Sequence, residues 1–262
     1  MKKLMIAAAT LLAAMAAPGL AAAKSGYVGL SYSNGNIDGG GTDIDVDTIA
    51  GEGVVAFDAG ALGVQLDVSV GNIDVDNAGD ADFYQLGGHL YSRGQKWLVG
   101  GFASYTNVDA DGADADAWTV GAETQYYFAR TTVSGALSYA EIDDADVDGW
   151  FIDGEARHFY TDNFSASLGL GYGAVDVAGT DADLWTIGVG AEYQFASAPV
   201  SVYGAYDHSE IEIDAAGSPD GDVDAFTLGV RWNFGGGSLF DRDRNGAGLA
   251  TRGMGDRLFG LF

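Results

Sequence analysis

Residues 184–195 read LWTIGVGAEYQF. Trp185, Ile187, Val189, Ala191, Tyr193 and Phe195 alternate with Thr186, Gly188, Gly190, Glu192 and Gln194. Successive side chains of a β-strand point to opposite faces, so this period of two predicts one apolar face and one polar or small face. The apolar face opens on Trp185 and closes on Tyr193 and Phe195, with aliphatic side chains between. An aliphatic band held between two aromatic ends suits a strand that crosses two lipid–water interfaces. A soluble β-sandwich would share the alternation but gives no reason for aromatics at both ends.

The same segment recurs. Residues 117–128 read AWTVGAETQYYF and residues 225–234 read AFTLGVRWNF. Counting GWFIDGEARHFY at 149–160, adjacent copies lie roughly 35–40 residues apart, a period with two strands per repeat rather than the four of a propeller blade. Alternation predicts twelve strands near 26–33, 48–57, 62–71, 82–91, 96–106, 117–128, 131–140, 150–160, 164–174, 184–195, 200–207 and 225–234. Most have about ten residues, the length a tilted strand needs to cross a bilayer. The expected fold is all-β: a transmembrane up-and-down antiparallel β-barrel of about 12 strands, with 10 or 14 as alternatives.

The connections alternate in character. Residues 34–47, 72–82, 107–116, 141–149, 175–183 and 207–224 hold 27 of the 38 Asp and Glu and no Lys or Arg. The intervening turns are short and carry Arg93, Lys96 and Arg130. Long loops at one end and short turns at the other are a transmembrane-barrel signature. An even strand count puts both barrel ends on the side of the short turns.

The N-terminus begins MKKLMIAAATLLAAMAAPGLAAAKSG. Lys2 and Lys3, the apolar run Leu4 to Ala17 and the small residues Ala21 to Ala23 read as a secretory signal peptide, cleaved near Lys24. Three segments follow: 1–23 as signal peptide, 24–234 as barrel, and 235–262 as a Gly- and Arg-containing periplasmic tail or lumen plug. Cleavage leaves 10 basic against 38 acidic residues, a net charge of −28, which argues against nucleic acid as a partner. Without Cys the chain has neither disulfides nor thiolate metal sites.

A signal peptide, about twelve alternating strands and a last strand ending on Phe234 resemble the Gram-negative outer-membrane β-barrel proteins, porin-like in style. The resemblance covers 26–234 and implies an outer-membrane location, lipid and lipopolysaccharide as surroundings, and delivery by the barrel-assembly machinery. That family ends its last strand on an aromatic assembly signal. Here 28 residues follow Phe234, so either Phe234 or the terminal Phe262 fills that role. With the termini periplasmic, the six acidic loops face outward. Trimeric porins usually have more strands, which favours a monomer.

By parity the inward residues include Glu52, Asp67, Glu123, Asp153, Glu155, Arg157, Glu192 and Arg231, with small residues such as Gly169, Gly171 and Gly173 between. Acidic groups outnumber the two arginines, and rings of Asp and Glu favour cations. The expected function is a porin-like channel for passive, weakly cation-selective diffusion of small cationic or neutral solutes, and not an enzyme. A non-conducting structural or adhesive barrel is one alternative, and a barrel-embedded hydrolase a second. For the hydrolase, His208 beside Asp207 and Ser209 is the one local cluster. Arg157 and Arg231 are expected to pair with Glu155 or Glu192. No cofactor is expected, although Asp109, Asp111, Asp220, Asp222 and Asp224 could offer oxygen ligands to Ca²⁺ or Mg²⁺. Asp241-Arg-Asp243-Arg-Asn245-Gly246 matches half of a calcium loop but has Arg252 where a Glu is required, so a disordered linker is expected there.

Overall fold

A computed structural model describes residues 23–110, 113–142, 145–214, 220–235 and 237–250. The signal-peptide reading, Phe262, Arg252 and Asp111 lie outside the described residues. The alternation yields β1 (Ser25–Gly39), β2 (Thr42–Ala59), β3 (Leu62–Val75), β4 (Gly79–Arg93), β5 (Trp97–Ala110) and β6 (Ala113–Tyr127). It continues with β7 (Thr131–Ile142), β8 (Val147–Thr161), β9 (Phe164–Val177), β10 (Thr180–Gln194), β11 (Val200–Ile213) and β12 (Gly221–Phe234). Each strand pairs antiparallel with its sequence neighbours, and β1 pairs with β12, closing the sheet into a twelve-stranded barrel. The closing register runs from Gly26↔Phe234 to Gly39↔Gly221.

Closure sorts the two faces as the alternation predicts. Leu170 and Ile152 keep 59% and 57% of their surface exposed, and Leu30, Leu86, Val99, Val120, Leu137, Ile187 and Leu228 join them in a belt around the outside. An aliphatic surface this continuous is far larger than water tolerates, so the belt faces lipid. On one side of the belt Tyr105 packs on Trp118, Tyr139 on Trp150 and Tyr172 on Trp185, with ring centroids 4.6, 5.3 and 4.6 Å apart. On the other side stand Phe128, Tyr160, Tyr193, Phe195 and Trp232, with Tyr126 packed against Phe128. Phe234 also lies on the outer face, its ring covering Gly26 at the seam.

The strands run well past the outer aromatics. The six acidic segments are not long loops: most of their length is strand, closed in two described cases by two-residue turns at Gly40–Gly41 and Ala178–Gly179. Gly40 and Gly41 both have positive φ (62° and 80°), the requirement of a tight hairpin turn. The Asp-x-Asp steps are themselves period-two pattern. Asp43, Asp45 and Asp47 point outward, while Ile44 and Val46 point inward. Two apolar clusters therefore line the inside of this extension. One joins Val46, Ala50, Ile73 and Phe83; the other joins Ala140, Phe151 and Leu184. Phe83 lies flat across Gly71 of β3, and a Cβ on Gly173 would sit 2.6 Å from Cδ1 of Phe151, so a larger side chain at either glycine would displace a ring.

Two kinds of surface substitution separate the belt from the extension. Leu170→Arg, near the middle of the belt, is expected to cost about 2–4 kcal/mol of folding free energy in lipid vesicles. Asp181→Arg, on the extension, should stay within about 0.5 kcal/mol. Equilibrium urea unfolding from liposomes measures both.

Candidate functional site: the lumen and its tail

The short connections lie at the end where β1 begins and β12 ends, so the chain after Phe234 emerges beneath the lumen. It turns inward. Residues 239–245 form a short helix, α1 (Leu239–Asn245), capped by Ser238, whose hydroxyl accepts the Asp241 amide. This corrects the disordered linker expected for the half calcium motif. Asn245 donates to Asp241 at 2.9 Å. The Asp243 carboxylate accepts from the Thr132 hydroxyl at 2.5 Å and pairs with Arg157 at 3.2 Å. Its oxygens are therefore already used inside the barrel.

Beyond the helix the backbone is held by side chains of distant strands. Arg93 donates to the Gly246 carbonyl at 3.0 Å, and Gln125 to the Gly248 carbonyl at 3.2 Å. Gln65 exchanges a pair of bonds with Leu249, donating to its carbonyl at 2.9 Å and accepting from its amide at 3.2 Å. The Ala247 amide donates to the Ser25 hydroxyl at 2.7 Å. Leu249 packs with Tyr91, Leu98 and Tyr127, and Ala247 with Tyr27, Val54 and Ala56. These bonds satisfy polar backbone that would otherwise be stranded in a closed space. The segment 237–250 is a plug in the lumen.

Above the plug lies a cavity of about 270 Å³. Its described lining carries Glu52, Asp153, Glu155, Glu192, Asp207 and Asp243 against Arg157, Arg231 and Arg242. Every one of the three guanidiniums is engaged. Arg231 holds Glu52 at 2.8 Å and Glu192 at 3.3 Å. Arg242, from the plug, holds Glu192 at 2.8 Å and also bonds Asn233. Arg157 holds Glu155 at 2.9 Å. Arg231 also lies over the Tyr203 ring, 4.0 Å from its centroid. Charges withdrawn from water cost several kcal/mol unless paired, and this ionic layer supplies the pairs.

The sequence-predicted lumen residues thus divide. Glu52, Asp153, Glu155, Arg157, Glu192 and Arg231 line the cavity. Asp67 and Glu123 do not; they grip His89 instead, Asp67 at Nε2 (2.8 Å) and Glu123 at Nδ1 (2.7 Å), with all three side chains buried. The expected pairing of Arg157 with Glu155 and of Arg231 with Glu192 is present, but pattern gave no sign of Arg242, Asp243 or His89 as partners. For Arg242 and Asp243 the signal lay in the arginine-containing tail of an otherwise acidic chain; for His89 it lay only in its inward parity on β4.

On the described hairpin strands the acidic side chains, Asp207 apart, face away from the lumen. Asp224 accepts from Tyr206 at 2.6 Å and from His208 at 2.9 Å. His208, Glu210 and Asp222 bring potential ligand atoms within 4.8 Å of one another on the outer face of the β11–β12 hairpin. Asp109 belongs to a different hairpin, and Asp220 is exposed just before β12. Similar tyrosine bonds recur at Tyr32–Asp47, Tyr105–Asp116 and Tyr172–Asp183. The spacing Asp-x-aromatic in Asp116-Ala-Trp118 and Asp183-Leu-Trp185 is the sequence signal for this ring, which pattern reading missed. The pleat also breaks up the hydrolase candidate. His208 points outward, whereas Asp207 and Ser209 point inward, Ser209 to Thr186 at 2.9 Å. His158, too, lies on the outer face, bonded to Thr131.

No protein-family model matches the chain and no curated protein does either. Solved structures match the fold. An outer membrane channel from Pseudomonas putida F1 aligns with a TM-score of 0.61 at 12% identity, over 80% of this chain and 95% of that one. The translocator domain of autotransporter NalP from Neisseria meningitidis aligns with 0.54 at 14% identity, over 80% and 88%. The KdgM porin gives 0.51 at 10% identity, over 79% and 99%. The architecture is that of the outer-membrane β-barrels. Channels and a translocator share it, so the fold leaves the task to the lumen.

The chain has no cysteine, so an engineered pair reports plug position cleanly. Ser25→Cys with Ala247→Cys should form a disulfide under mild oxidation and shift migration on a denaturing gel. Absence of the cross-link in bilayer-embedded protein would place the tail elsewhere.

Proposed function

We propose that the barrel is an outer-membrane channel for passive, weakly cation-selective diffusion of small cationic or neutral solutes, and that segment 237–250 narrows its periplasmic end. The observation that carries this reading is the lumenal cavity, where carboxylates outnumber guanidiniums and every guanidinium is held by a carboxylate. A passing anion finds no free guanidinium there, while a cation meets a net negative wall. Selectivity is assigned to this wall, which includes Asp207, rather than to the other hairpin carboxylates, which point away from the lumen. Those outward groups face the lipopolysaccharide layer in this reading, with divalent cations as the bridge. The orientation has the acidic hairpins outside the cell and both ends of the barrel in the periplasm. Phe234 is the favoured assembly signal, because it ends the last strand.

A second reading is a closed structural barrel. The plug favours it, since fourteen consecutive residues, 237–250, occupy the end of the lumen on the side of the short turns. Hydrolysis has no comparable support, because the only local His–Ser neighbours are split between the two faces.

Planar-bilayer recordings separate the first two readings. The intact chain is expected to give small cation-preferring conductances, and a chain ending at Gly235 larger ones with the same preference. Silence from both forms would establish the closed barrel, and anion preference would overturn the selectivity.

A further inference from the structure

The lumenal acids are not equivalent. Glu52, Glu155, Glu192 and Asp243 are paired with arginine, Asp67 and Glu123 share His89, and Asp153 is also engaged. Asp207 is different. It is 7% exposed and lines the cavity, and its Oδ2 is buried with no hydrogen-bond partner. No described guanidinium, imidazole or hydroxyl reaches it. A buried carboxylate without a donor is costly, and the cost is met either by a proton or by a cation arriving from outside.

The surroundings define what kind of cation fits. Asp207 pairs across the sheet with Gly188, and its Oδ1 occupies the space a side chain would take there. The neighbouring wall is built of small residues, Gly169, Gly171 and Gly190, with the Asp153 carboxylate beside Gly171 and the Ser167 hydroxyl beside Gly190. Toward the outer end the same cavity is bounded by Phe83, Phe151 and Leu184. These are the inward apolar side chains of the hairpin extension, and they carry no charge to solvate an ion. At about 270 Å³ the space is slightly below the range usual for drug-sized ligands, which suits a small solute. A hydrated metal ion would gain nothing from the apolar boundary. An ammonium group with an apolar body uses both parts: the ammonium meets Asp207, and the body leaves water against Phe151 and Leu184.

We propose that the lumen holds a binding subsite for small arylalkyl or alkyl primary amines, with Asp207 as the counter-ion and Phe83, Phe151 and Leu184 as the apolar boundary. This deepens the cation-channel reading and rests on it for physiological meaning, but binding itself does not require conduction. Four residues of strand, about 13 Å, separate Leu184 from Gly188, so a ligand series of increasing length probes the spacing.

The test is calorimetric titration of the full chain in detergent with phenethylamine and 4-phenylbutylamine, against ethylamine, phenylacetate and 2-phenylethanol. Saturable binding of the arylalkylamines is expected, at least tenfold tighter than the other three. Asp207→Asn should weaken phenethylamine at least tenfold, and Leu184→Ala should erase most of its advantage over ethylamine. Retained heat-modifiable gel migration confirms that the variants are folded, and the ligand comparison in the unaltered chain needs no variant. Equal binding of phenylacetate, no binding of any amine, or an unchanged affinity in Asp207→Asn would overturn the proposal. Amine binding in a chain that never conducts would leave the subsite standing and remove the diffusion reading. Cation-selective conductance without amine binding would do the reverse.

Discussion

The pairing of β1 with β12 is the constraint from which the rest of the molecule follows. Hydrocarbon offers no partner to a backbone N–H or C=O, so a sheet can cross it only if it has no free edge. The register from Gly26↔Phe234 to Gly39↔Gly221 removes the last edge. Closure then turns strand alternation into a division between lipid and lumen. It also brings the end of β12 back beside the start of β1, on the side of the short turns. The tail therefore starts at the lumen's own opening, and the Ala247 amide can reach the Ser25 hydroxyl across 222 positions of sequence.

Inside, the energetics are those of charge in a confined space. The inward faces of the strands carry more carboxylates than arginines, and the plug brings Arg242 and Arg244 into the same space together with Asp243. Arg242 joins Glu192, and Arg244 stacks between Tyr127 and Phe240, 4.8 Å from each ring centroid. The ionic layer is thus shared between barrel and tail, which ties plug position to lumenal electrostatics. Glycine shapes what remains open. Where an aromatic ring lies over a glycine the wall is filled, as at Gly71 and Gly173, and where it does not the cavity persists.

Much of the barrel was legible in the chain, because a period of two is a local property. The strand 184–195 shows its two faces without any partner being known, and its aromatic ends locate the interfaces. The same rule was harder to see in Asp43-Ile44-Asp45-Val46-Asp47. There the apolar positions are few and the outward positions are all charged, so the stretch reads as a solvated loop although its parity is intact. The lumen's membership followed from parity too, but not its pairing. That Asp67 and Glu123 converge on His89 depends on registers between β3, β4, β5 and β6, which no single strand encodes.

The plug lay furthest from sequence reasoning. A seven-residue helix is too short to be stable by its own hydrogen bonds. It exists because Thr132, Arg157 and Glu192 hold it from strands far away in the chain, and Asn233 holds it from the strand just before it. By itself the sequence determined the strands, their two faces, the interfaces and the side from which the tail emerges, since each of these is set by nearest-neighbour geometry and strand parity. Only the tertiary structure decided that the acidic segments continue the barrel and turn their charge outward, that the tail enters the lumen, and which carboxylate is left without a partner. Those outcomes depend on which distant strands closure brings face to face.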